Sequence, residues 1–180
     1  MAGCLNLVDQ DNISRDCVNR WSENVSSVLK SPTAIRRFLE YLNEEDLDGF
    51  ALLQFWQKSR ELIDDYNKRK PHKYEHLKKL EHKKRLHSGR EDWEQTIVRK
   101  SQEILEFALE YVNFDEELVI LDTAVQSNNV LQIITAFNKV KDRAEDKLQK
   151  DGYPEFRAHI LKNYGFVNEE GMKKNFNKGK

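Results

Sequence analysis

Proline and glycine are scarce in this 180-residue chain, with three of the first and seven of the second. That is too few for the many tight turns of an all-β architecture. There are two cysteines, Cys4 and Cys17. Such a pair implies neither a disulfide framework nor a thiol-rich metal site, and a reducing intracellular setting fits it. No apolar run approaches the roughly 20 residues that a membrane-spanning helix needs, and the N-terminus lacks the basic-then-apolar order of a signal peptide. A soluble, cytoplasmic protein is therefore expected. Glycine-rich phosphate loops, nucleophile elbows and paired catalytic carboxylates are also missing, so neither an intrinsic active site nor a cofactor is expected.

What the chain does have is charge. Charged residues make up 34% and apolar residues 38%, a balance that suits long, amphipathic helices around one core of single-domain size. The net charge of -1 conceals an uneven distribution. Residues 68–90 hold ten Lys/Arg against two acids, a formal +8. The rest holds 20 basic against 29 acidic residues, a formal -9.

Periodicity places the helices. Residues 1–16 show no period and predict a loose arm with at most one helical turn. Val18, Trp21, Val25, Val28 and Leu29 recur at spacings of three and four and predict one amphipathic helix. Ser31 and Pro32 stop it and start the next, which buries Ile35, Phe38, Leu39 and Leu42. Leu52 through Ile63 predicts a third helix ending among Asp64, Asp65 and Asn67, with Gly49 loosening its entry. The basic segment 68–90 reads as a flexible insertion, broken at Pro71 and at Ser88-Gly89. Trp93 to Val112 marks a long helix, and Leu118 begins a shorter one. Residues 130–136 make a short apolar stretch, after which Phe137 to Lys150 runs at helical spacing. Asp151-Gly152-Tyr153-Pro154 predicts a turn, and Phe156 to Tyr164 a last helix. The domain is expected over 17–168, and 169–180, including the Lys/Asn/Gly run from Gly171, as a disordered tail.

Three stretches, in order, resemble the regulator-of-G-protein-signalling (RGS) family. The first runs from Trp21-Ser22-Glu23-Asn24-Val25 through Leu29 and Ser31 to Arg37-Phe38-Leu39. The second is Leu52-Leu53-Gln54-Phe55-Trp56. The third joins Phe137, Ala144 and Leu148 to Asp151-Gly152-Tyr153-Pro154-Glu155-Phe156. The resemblance implies an all-α fold, an antiparallel four-helix bundle beside a lobe formed by the terminal helices. It also implies a function, gripping the switch regions of a GTP-bound G-protein α subunit (Gα), which supplies its own catalytic arginine and glutamine.

The family's contact residues lie in three loops, and the resemblance carries them onto this sequence residue by residue. At the first loop Glu44, Glu45 and Asp46 stand some residues before Ala51 and Leu52, which occupy the matching places. At the second, Asn113 and Asp115 lie in a Val-Asn-Phe-Asp stretch similar to the family's Val-Asn-Leu-Asp. At the third are Asp151, Gly152 where the family has Ser, and Glu155 where the family is usually basic. A Gα-binding domain, with or without acceleration of GTP hydrolysis, is one implied function. An RGS-like scaffold that binds another protein or a membrane is the other.

His72 and His76 have a helical i, i+4 spacing, but no further ligand completes a metal set. The basic segment 68–90 reads as a solvated loop, or as a contact for an anionic membrane surface. With Tyr74 as its one aromatic it does not suggest nucleic-acid binding.

Overall fold

The computed structural model describes residues 13–69 and 83–164, with side-chain surroundings for 13–69 and 93–164. Among the described residues there are eight α-helices and no strand: α1 (Arg15–Trp21), α2 (Val25–Leu29), α3 (Pro32–Glu45), α4 (Leu47–Arg69), α5 (Lys83–Tyr111), α6 (Asp115–Gln126), α7 (Val130–Lys150) and α8 (Tyr153–Asn163). The chain is all-α, and none of its described helices is long and apolar enough to cross a membrane.

The helix ends follow from their caps. Ser14 accepts from the Cys17 N–H and starts α1 inside what the sequence reads as an arm. The single helix expected from Val18 to Leu29 is two, because Asn24 turns extended and its Oδ1 accepts from the Ser27 N–H at 2.9 Å, opening a new helix. Ser31 caps α3 with Pro32 in its first turn, as the sequence implies. Asp46 both ends α3 and starts α4. Its N–H donates to the Leu42 carbonyl while its Oδ1 accepts from the Gly49 N–H at 3.0 Å, so α4 begins five residues before the expected Leu52. Gly49 sits inside the first turn of α4 and does not loosen it.

Two expected breaks are absent. Helix α5 runs through Ser88-Gly89, so 83–90 are helical and the expected break there is missing. Residues 130–136 continue without interruption into Phe137 and beyond, making α7 one helix of 21 residues. Residues 1–12, 70–82 and 165–180, with the arm, most of the basic segment and the tail, lie outside the described residues. Cys17 is buried and disulfide-bonded, a departure from the reducing setting that the cysteine count suggests. The other cysteine, Cys4, lies outside the described residues.

The chain divides into two compact units, Met1–Gly49 with Glu145–Lys180, and Phe50–Ala144. In the first, the N-terminal helices meet the C-terminal one: α2 lies against α1 and α3, and α8 against α1 and α3. Its core holds Val18, Trp21, Val28, Phe38, Leu42, Phe156 and Ile160, all buried. The rings of Phe38 and Phe156 lie 4.6 Å apart. The Tyr153 hydroxyl donates to the Trp21 carbonyl at 3.0 Å, and the Arg157 Nε to the Ser22 carbonyl at 2.8 Å. Burial raises the Tyr153 pKa, with Arg157 pulling it the other way, so the phenol remains a donor across the neutral range. The last turns of α7 close this unit against α2, where Gln149 Oε1 accepts from the Val25 N–H at 2.8 Å and Glu145 accepts from the Ser26 hydroxyl.

In the second unit, α4 and α5 run antiparallel. Lys58 lies over the Phe107 ring, Asp65 pairs with Lys100 at 2.6 Å, and Tyr66 lies 6.0 Å from Trp93, so partners on α5 descend as α4 ascends. Phe55 of α4 stacks on Phe137 of α7 at 6.4 Å. Residues 127–129 link α6 to α7, where Asn128 takes a positive φ of 51° and Asn129 Oδ1 accepts from the Leu131 and Gln132 N–H groups. Asn tolerates this left-handed geometry better than a branched residue would.

Candidate functional site

The nine candidate residues divide between the units. Six, Glu44, Glu45, Asp46, Asp151, Gly152 and Glu155, belong to the first; Leu52, Asn113 and Asp115 belong to the second.

In the first unit, the end of α3 and the turn between α7 and α8 meet at Gly152. A Cβ placed on Gly152 would lie 3.0 Å from Leu42 Cδ2, 3.6 Å from Phe38 Cζ and 3.8 Å from Asp46 Oδ2. Gly152 is buried, and a side chain there would fit only if the end of Leu42 gave way by a few tenths of an ångström. It therefore offers a partner no side chain of its own. Asp46 is half-buried, and one of its oxygens is spent on capping α4. That correction follows from a local need: the first turn of a helix has orphan N–H groups, and a carboxylate satisfies one of them. Glu44, Glu45, Asp151 and Glu155 remain exposed.

Tyr41 is the residue that the sequence reading missed. Its ring packs 5.7 Å from Phe156 and 4.9 Å from His159. Burial raises its pKa first, and the carboxylates of Glu155, Glu45 and Asp46 raise it further. Those three acids from α3, its junction with α4 and the first turn of α8 thus share one electrostatic neighbourhood around a neutral phenol. Helical spacing carried the signal: Tyr41 stands three residues after Phe38, on the flank of the buried stripe of α3.

No family model, curated protein or solved structure matches this chain. The site rests on its own geometry.

In the second unit, Asn113 is exposed in the link 112–114 between α5 and α6, with Val112 and Phe114 buried on either side. Alternation of this kind fixes the backbone by its apolar neighbours and turns the amide outward. Asp115 is the first residue of α6 and, with Glu116 and Glu117, makes an acidic first turn, which the partial positive charge of a helix N-terminus favours. Leu52 is only 4% exposed. Its place is in the core of α4, so it leaves the set of residues that a partner could touch. The resemblance matched the sequence position, and the helical face at that position points inward.

Among the described residues, no group of three or more His, Cys, Asp or Glu could hold a metal ion. His72 and His76 lie outside the described residues.

Proposed function

We propose that this chain is an RGS-like domain, with the antiparallel four-helix bundle and terminal lobe of that family, that binds the switch regions of a G-protein α subunit in its GTP-bound or transition-state form. One observation carries the reading: residues of the three family-like stretches, far apart in sequence, pack on one another. Trp21 and Phe38 of the first stretch meet Tyr153 and Phe156 of the third, and Phe55 of the second meets Phe137 of the third. That packing supports the reading, since the family's fold requires these stretches to lie against one another.

Binding of this kind needs no catalytic group on the domain. Gα carries the arginine and glutamine of phosphoryl transfer, and acceleration comes from holding them in place before the reaction. Asn113 is the residue assigned to that glutamine, since its amide both donates and accepts. Glu44, Glu45, Asp151 and Glu155 are the exposed charged residues that the first unit offers, and Asp115 the one that the second unit offers. The host compartment in this reading is the cytoplasm, where the Cys17 disulfide would be held reduced, at the inner face of a membrane through Gα, with residues 68–90 as a further contact for anionic lipid.

Burial of Gly152 and Leu52 favours a second reading, a scaffold that uses the same helices to bind another protein without GTPase activation, because two family contact positions are inaccessible to Gα. Pull-down against Gα in its GDP, activated and aluminium-fluoride forms separates the two, together with single-turnover GTP hydrolysis. A Gα binder prefers the aluminium-fluoride form, and Asn113→Ala costs it about 1–3 kcal/mol of that affinity by leaving a buried polar group unpaired. Absence of binding to all three forms leaves the scaffold.

A further inference from the structure

Cys17 lies in the first turn of α1, buried at 7% exposure, and its sulfur is held in a disulfide. The sequence contains one other cysteine, Cys4. Helix α1 has only seven residues, and a helix that short has too few internal hydrogen bonds to stand by itself in water. It keeps its shape through what it touches: Val18 and Trp21 are buried, the Ser14 side chain caps its first turn, and α8 lies against it.

Helix α1 in turn holds the start of α8. The Trp21 carbonyl accepts from the Tyr153 hydroxyl at 3.0 Å, and the carbonyl of Ser22, the C-cap of α1, accepts from the Arg157 Nε at 2.8 Å. These two donors lie on either side of Glu155 and directly follow Asp151 and Gly152. The order of α1 and the order of the α7–α8 turn are therefore linked through two carbonyl oxygens.

We propose that Cys4 and Cys17 form a redox-sensitive clasp on α1. Oxidised, the clasp fixes α1 and, through it, the α7–α8 turn; reduced, it lets α1 open and the turn loosen. The bond acts on the opened state, where it takes conformational freedom away from residues 4–17, and so it disfavours opening. Closure transfers two electrons and two protons from the two thiols to glutathione disulfide, which leaves as two glutathione thiols. An excess of glutathione thiol drives the same exchange backwards. Burial hinders attack on the Cys17 sulfur, so the reducing thiolate enters at Cys4 and the Cys17 sulfur leaves.

The unit does not need this bond to fold. Phe38, Leu42, Phe156 and Ile160 give it an apolar core of its own, so the effect of reduction is confined to α1 and to what α1 holds. In a reducing cytoplasm the open form prevails, and an oxidising pulse closes it. The inference is independent of Gα binding, since it concerns only the order of the turn.

Hydrogen exchange of the full chain, read by mass spectrometry, tests it on the oxidised parent, the parent reduced with glutathione thiol, and Cys4→Ser. Proteolytic mapping without reductant is expected to find the Cys4 and Cys17 peptides joined within one chain. In the reduced parent and in Cys4→Ser, amides of 15–22 and 151–157 should exchange about tenfold faster than in the oxidised parent, with α3 unchanged. Reoxidation with glutathione disulfide should restore the parent and leave Cys4→Ser as it was. Equal exchange in both redox states overturns the proposal. So does faster exchange spread evenly over α3 as well, which would make the bond a structural one, and so does a bond that joins two chains or fails to form with glutathione disulfide.

Discussion

Truncation of the Phe38–Phe156 pair measures how firmly the ends of the chain are joined. Both rings are essentially inaccessible, with exposures of 0% and 1%, and their centroids lie 4.6 Å apart. Either change to Ala removes a whole ring from a closed core, at about 3–5 kcal/mol. That is a large part of the roughly 5–15 kcal/mol that holds a domain together, so the double Ala variant would lie near the edge of unfolding. Leu at each position keeps most of the volume and costs on the order of 1–2 kcal/mol, which leaves a foldable set for a double-mutant cycle. Tilted aromatic pairs in contact contribute about 0.5–1.5 kcal/mol beyond their buried area. Once the first ring is gone the second has lost that partner, so the double Leu variant should be less destabilised than the sum of the single variants by about that amount. Urea unfolding followed by circular dichroism supplies the four midpoints. Additivity within error would show that the rings do not touch. With it would go the strongest support for joining the first and third family-like stretches.

Asp46→Ala should cost about 0.5–2 kcal/mol in the same assay by leaving the Gly49 N–H without its cap. A Gly49→Ala variant should fail to show the stabilisation of about 1 kcal/mol usual for that exchange in a helix, since the new methyl meets the Asp46 carboxylate. The Asp65 carboxyl is held below its ordinary value, chiefly by the hydrogen bond from Lys100, with the Lys100, Lys68 and Arg69 charges adding to it against an opposing burial effect. A depressed carboxyl stabilises the fold above its unfolded pKa and ceases to do so as pH falls through its folded one. Asp65→Asn should therefore lose about 0.2–1 kcal/mol at neutral pH and nothing at strongly acidic pH, as melting curves at several pH values would show. For Tyr41 the sign is opposite: the raised phenol stabilises at pH below its ordinary value and loses that contribution as pH rises through the folded one. Glu155→Gln should bring the Tyr41 ultraviolet titration part of the way back, leaving the larger effect of burial in place.

Much of the helical content could be read from spacing, because Phe38 and Leu42, or Ile104 and Ala108, mark faces that only a helix puts together. The departures have local causes. Asn24 looks like one more polar residue within an amphipathic run, yet its side-chain oxygen satisfies an orphan N–H and so divides that run into α1 and α2. Ser88-Gly89 looks like a break, but a single glycine costs a helix only about 1 kcal/mol, less than the continuation of α5 provides through Trp93 and Ile97. Binding residues were harder to read. Leu52 came from matching positions along a string, and a string does not record which side of a helix faces the core. Gly152 appeared as a missing serine, although what a side chain there would meet is Leu42, more than a hundred residues away. Tyr41 could have been found by asking which aromatic flanks a buried stripe next to a cluster of acids.

The single-residue corner at Asp46 has a further consequence for molecular recognition. A contact surface built on a long loop must freeze that loop when a partner arrives, and each side chain immobilised costs about 0.5–1.5 kcal/mol. Between α3 and α4 there is almost nothing to freeze: one residue turns the chain, and both of its capping bonds are already made. Whatever docks beside Glu44 and Glu45 meets a surface that is the same before and after the encounter. Association there should proceed without a slow conformational phase, and substitutions at the corner should act on the lifetime of the complex more than on the rate at which it forms.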